Sequence, residues 1–202
     1  LERLAVGVLD ASVNSLPMSG AMAQDPTLLE RAQRGDVDAV AEIYDRHHGP
    51  LCAFARRLLG NDAAAEDLVH DVFLVLPEVL RRADPSGSLR RFLMAVAANR
   101  AKHHFRAKCR YEKMAGRLAH EHIADVENPE QQTSRRALAA RLARALDVLS
   151  FEQRVAFVLC EIEDHGSRDA AAILGIPEGT VRTRLFSARR ALRKHFSSEE
   201  MR

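Results

Sequence analysis

Tryptophan is absent from this 202-residue chain, and aromatic residues make up only 5% of it. Strands draw on aromatic and β-branched side chains, so a sheet-based fold is disfavoured. Ala, Leu and Arg recur instead, and these favour helices. Cysteine is scarce as well: Cys52, Cys109 and Cys160 are odd in number, widely spaced and without a CxxC pair. That pattern speaks against a disulfide framework or a thiolate zinc site and fits a reducing cytoplasm. No segment approaches the roughly 18 to 20 apolar residues that a membrane span requires. The apolar run Leu4–Leu9 is too short for a signal peptide and is ended by Asp10. Nor does one sign of charge dominate, since 30 Lys and Arg stand against 28 Asp and Glu. Net charge therefore selects no partner, and the distribution of charge has to.

The expected fold is all-α, with two small helical domains joined by a flexible linker. Residues 1–24 read as a flexible leader or an expression remnant, with Met18 or Met22 as candidate starts. The first block covers 25–110. The stretch 111–134 is acidic, carries Asn128-Pro129 and ends in QQTS, which is linker chemistry. The second block covers 135–202. Apolar periodicity predicts helices over Leu28–Arg34, Ala39–Leu59, Ala63–Leu80 and onward from Leu89 in the first block. In the second it predicts Arg135–Leu149, Phe151–Glu163, Ser167–Leu174 and Glu178–Phe196. Pro77 should kink or end its helix.

Charge separates sharply along the first block. Asn61–Leu80 holds five acids and no Lys or Arg, with Asp67, Asp71 and Glu78 beside the apolar stripe. On periodicity alone a solvated face explains these acids better than an interface does. Ser88–Arg110 then holds seven basic residues and no acid. Leu89, Phe92, Leu93 and Val96 mark a core-facing stripe that stops at Arg100, while Arg91, Asn99, Lys102, Arg106 and Arg110 gather on another face. The contrast with the acidic helix favours an anionic partner, most simply nucleic acid.

In the second block Ala171, Gly175 and Val181 occupy relative positions 1, 5 and 11 of a helix-turn-helix. Those positions want a small residue, a turn glycine and a docking apolar residue. Val181, Leu185, Ala188 and Leu192 form a buried seam. Opposite lie Arg182, Thr183, Phe186, Ser187, Arg190, Arg193 and Lys194. An aromatic among arginines on the outer face suits contact with thymine methyls or sugars. Cover by a neighbouring helix is the plain alternative.

The segment LGIPEGTVRTRLFSARRALR, Leu174–Arg193, resembles region 4.2 of the extracytoplasmic-function (ECF) sigma factors, small two-domain members of the sigma-70 family. AEDLVHDVFL, Ala65–Leu74, is similar to region 2.2, and RRFLMAVAANRAKHHFR, Arg90–Arg106, to regions 2.3 and 2.4. The resemblance spans about Leu28–Phe196. It implies a protein that binds core RNA polymerase, through the β′ coiled coil and the β subunit, and directs it to promoter DNA. Asp67, His70 and Asp71 would then meet polymerase. Arg81, Arg82, Ser86 and Ser88 of the loop, with Arg91, Asn99, Lys102 and Arg106 of the basic helix, would capture and melt the −10 element. Arg182, Arg184, Phe186 and Arg190 would lie at the −35 major groove beside Thr183 and Ser187, with Thr180 and Arg189 on phosphates. An anti-sigma protein is a further implied partner. Pro77 and Phe92 stand where the family often has Trp, Asp164-His165-Gly166-Ser167 departs from the usual helix-turn-helix entry, and Ser187 replaces a common basic residue.

Two other function classes compete. A metal enzyme is suggested by nine His, but HExxH spacing is missing and His48-x-x-x-Cys52 is the nearest approach to a ligand pair. Nucleophile elbows, P-loops and dinucleotide fingerprints are also missing, so no catalytic residue, cofactor, metal or small-molecule substrate is expected. A stand-alone helix-turn-helix regulator would explain the second block alone. It leaves the acidic and basic helices of the first unused.

Overall fold

Helix boundaries fall where capping chemistry puts them. The structure, a computed structural model, describes residues 26–80, 88–115 and 134–200. Helix α1 is Pro26–Gln33. Asp36 opens α2, Val37–Leu59, its carboxylate accepting from the Asp38 and Ala39 amides at 3.0 and 3.2 Å. Gly60 closes α2 at φ +70°, a left-handed position that suits glycine. Asn61 accepts from the Ala64 amide at 2.8 Å at the start of α3, Asp62–Leu80. That helix does not end at Pro77. Proline removes one backbone bond, whereas the buried Leu76 and Leu80 tie the last turn to the core. Helix α4, Leu89–Ala115, runs five residues into the stretch read as linker. The expectations for residues 1–24, for Arg81, Arg82 and Ser86, and for most of the linker lie outside the described residues.

The second block holds α5, Ser134–Asp147, and α6, Phe151–Phe157. Ser150 and Gln153 form a reciprocal capping box at the start of α6. This helix widens into a π-turn, Val158–Ile162. Helix α7, Ser167–Leu174, and α8, Glu178–Glu200, follow. No strand occurs among the described residues.

Apolar stripes from α2, α3 and α4 close the first core around Ile43, Phe54, Leu58, Val69, Val72, Leu76 and Leu93, all fully buried. Burial of each such side chain contributes about 1.5–3 kcal/mol before its entropy cost. Phe92 through Ala98 are buried without interruption, so α4 is covered on every side over two turns. The second block supplies the far cover, and one contiguous core runs through both blocks. Phe105 and Phe151 stack with centroids 5.1 Å apart. Arg154, 4% exposed, donates to the Leu58 carbonyl at 3.1 Å and to Asp147 at 3.0 Å. It satisfies an orphan carbonyl at the C-terminus of α2 from across the block boundary. Two blocks free to move apart were expected from the polar linker. The described residues of the two blocks dock against each other through their own apolar and ionic faces.

Candidate nucleic-acid interface

Local chemistry builds the helix-turn-helix as the spacing requires. Gly166 is the N-cap of α7 and caps it through its backbone alone. Gly175 sits at φ +62°, and the amides of Gly175 and Ile176 return to the carbonyls of Ala172 and Ala171. A side chain there would cost roughly 1–2 kcal/mol of backbone strain. The Pro177 carbonyl then accepts from Thr180 and Val181 at 2.9 and 3.3 Å, starting α8.

Val181, Leu185, Ala188 and Leu192 are buried against the rest of the block. Arg182, Thr183, Arg189 and Arg190 face solvent, while Thr180, Arg184 and Ser187 are half-buried along the flanks of the same helix. Phe186 is 68% exposed, so no neighbouring helix covers it among the described residues. An unburied ring holds binding energy in reserve, up to about 1.5–3 kcal/mol if fully covered by a partner. Arg182 pairs with Glu178 at 2.6 Å, the Thr183 hydroxyl donates to the Gly179 carbonyl at 2.9 Å, and Arg189 pairs with Glu161. Arg184 and Arg190 make no ion pair among the described residues.

Asp67, His70 and Asp71 are exposed together on α3. Asp71 is met by Arg100 of α4 at 3.2 Å, a surface pair of small energetic weight. On α4 the Ser88 hydroxyl accepts from the Arg91 amide at 3.5 Å, which makes it a helix cap as well as a candidate contact. Asn99 and Lys102 are half-buried and Arg106 is exposed. Arg91 turns toward the second block, where Asp169 at the start of α7 holds its guanidinium at 2.6 Å.

Beside that pair lies a contact the sequence did not reveal. Glu163, its side chain 8% exposed, accepts from Arg57 of α2 and Arg90 of α4, each at 2.8 Å. The π-turn positions it: the Glu163 amide bonds the Val158 carbonyl at 2.9 Å, so the chain gains a residue per turn before leaving the helix. His165 follows, with Nε2 3.3 Å from the Met94 sulfur. Burial, then Arg90 and Arg91, push its pKa below the usual imidazole value. A signal for one member was available, since Arg154 interrupts the apolar face formed by Phe151, Val155 and Val158. Glu163 and Asp169 sit in polar surroundings and carry no such mark. Because both arginine partners of Glu163 are a third to a half exposed, we expect Glu163→Ala to weaken docking by only about 1–2 kcal/mol. Small-angle scattering should then report a larger radius of gyration than for the wild-type chain. An unchanged radius would show that the apolar contacts alone hold the blocks.

Comparison with known proteins supplies a family. The family model Sigma-70 region 2 matches residues 43–111, and Sigma-70, region 4 matches residues 139–192. Together they span well over half of the chain. The RNA polymerase sigma-H factor of Pseudomonas aeruginosa is 27% identical over 179 residues, covering 85% of this chain and 93% of that protein. The ECF RNA polymerase sigma factor SigE of Mycolicibacterium smegmatis is 32% identical over 157 residues, 77% of this chain and 61% of that one. Among solved structures, the sigma factor RpoE in complex with the anti-sigma factor NepR from Bartonella quintana shares the fold, with a TM-score of 0.62 at 24% identity, over 78% of this chain and 96% of that one. No helix among the described residues is long and apolar enough to cross a membrane. The chain belongs to the sigma-70 family, within its extracytoplasmic-function group of RNA polymerase sigma factors.

Proposed function

We propose that the chain divides promoter recognition between its blocks: residues 25–110 bind core polymerase and the −10 element, and 135–202 read the −35 element. Asp67, His70 and Asp71 form the polymerase contact on α3. Arg91, Asn99, Lys102 and Arg106, with Ser88 and the loop residues Arg81, Arg82 and Ser86, take the melted −10 strand. A separated strand offers phosphates and base faces, which cationic and amide side chains suit. Thr180, Arg182, Thr183, Arg184, Phe186, Ser187, Arg189 and Arg190 serve the −35 duplex. The observation that carries the reading is the solvent-facing Phe186 flanked by arginines on a helix whose other side is buried. Polymerase performs the chemistry, and the chain has no catalytic role of its own. It works in the cytoplasm, where polymerase and promoter are.

In the docked arrangement Asp169 occupies Arg91. Core polymerase, by holding the blocks at promoter spacing, has to release that pair before the −10 strand can use it. An anti-sigma protein that gripped both blocks in the closed form would block assembly without changing either fold. The −10 role is tested by Asn99→Ala with Lys102→Ala in run-off transcription. Initiation from an ordinary duplex promoter is expected to fall at least about tenfold, the equivalent of 1.4 kcal/mol, with far less loss on a template already opened at −10. Equal losses on both templates would place these residues outside strand capture.

A further inference from the structure

The sequence pairs His48 with Cys52 one helical turn apart, and the fold adds a third ligand that spacing did not reveal. Glu66 of α3 faces this pair across the α2–α3 contact, bringing an imidazole, a thiol and a carboxylate together. The Cys52 Sγ lies 3.6 Å from His48 Nε2 and 3.3 Å from Glu66 Oε2, and those nitrogen and oxygen atoms lie 3.4 Å apart. Zinc bonds of about 2.3 Å to sulfur and about 2.0–2.2 Å to nitrogen and oxygen, set at tetrahedral angles, separate ligand atoms by about 3.3–3.6 Å. The three observed edges therefore match one face of a zinc tetrahedron.

From this match we infer that His48, Cys52 and Glu66 form a zinc site with three protein ligands and a fourth position open to water. The donor set selects the metal. A single carboxylate with sulfur and nitrogen is poor for magnesium or calcium, which require oxygen shells, whereas borderline zinc accepts all three donors. Supporting contacts hold the ligands in place. Arg56 approaches the other carboxylate oxygen of Glu66 at 3.8 Å, leaving Oε2 for the ion, and Tyr44 packs on the His48 ring with centroids 4.7 Å apart. Access follows from exposure: Cys52 forms a buried floor, while the side chains of His48 and Glu66 are 31% and 50% exposed at the rim. In the metal-free chain the thiol donates its proton to Glu66. Zinc would take that place, and the proton would leave to solvent. The inference stands apart from promoter recognition.

The test is titration of the full-length, reduced, metal-free chain with cobalt(II), followed by displacement with zinc. We expect tetrahedral visible bands with a thiolate-to-cobalt charge-transfer band, saturating at a single equivalent and lost on adding zinc. Cys52→Ser should abolish the charge-transfer band, and Glu66→Gln should weaken binding at least about tenfold. Because Glu66 is at the surface, its variant should keep the wild-type circular dichroism. Cys160→Ser should bind as wild type does. A charge-transfer band that is missing from the wild type, or that survives in Cys52→Ser, overturns the site. Glu66→Gln at wild-type affinity overturns the three-ligand assignment.

Discussion

Alanine at both Arg182 and Arg184 should weaken holoenzyme binding at the −35 element by about 1–3 kcal/mol for each side chain that is bidentate to guanine, and by less for one that meets only phosphate. Arg182 would reach DNA at little cost, since its pair with Glu178 is an exposed helical contact worth about a few tenths of a kcal/mol. The fold should survive the change, because Val181, Leu185, Ala188 and Leu192 hold α8 in place. Salt dependence separates the two kinds of contact. Loss of a phosphate contact lowers the salt slope by about one ion and weakens all sequences alike, whereas loss of a base contact relaxes discrimination at one position. Unchanged promoter affinity for the folded double variant would refute the assignment.

Charge reversal on α3 should have the second large effect. Asp67→Arg with Asp71→Arg places like charges against any cationic polymerase surface, at a cost of several kcal/mol. The competing loss within the chain is small. Asp71 gives up only its partly exposed pair with Arg100, worth at most about 1 kcal/mol. Circular dichroism should therefore match the wild type while co-purification with core enzyme fails. Wild-type yield of the complex would return these acids to the status of a solvated face.

Most helix boundaries were legible because short-range chemistry sets them. Asp36, Gly60-Asn61 and Gly175-Ile176-Pro177 act within a few residues of themselves, and α2, α3, α7 and α8 begin and end beside them. The π-turn was not legible, since VLCEI continues the apolar pattern of α6 and one extra residue per turn leaves no mark in composition. Docking of the blocks depends on tertiary contacts of Glu163, Asp169 and Arg154, which lie 73 to 106 residues from the partners they bond in the first block. One clue stood in the sequence: FLMAVAA is apolar on every face, and such a helix has to be buried all round. Most of the exposed face of α8 could be read from the period of its buried seam, except that Ser187 is half-buried and Arg189 joins the solvent side. Arg91 could not, because a cation available in the sequence is already held by Asp169 in the fold.

On the proposed division of labour, promoter specificity is expected only in the complex with polymerase. A lone recognition helix would bury modest area, and the proposed −10 surface would suit a strand the protein cannot keep open by itself. Free-standing regulators commonly dimerise on palindromes and reach about 10⁻⁸ M or tighter alone. The direct measurement is a gel-shift titration of the isolated chain run beside run-off transcription with purified core enzyme. Weak, strongly salt-dependent duplex binding, with promoter-specific transcripts once core is added, is the predicted result. Tight palindrome binding by a dimer, with no transcript from added polymerase, would contradict it.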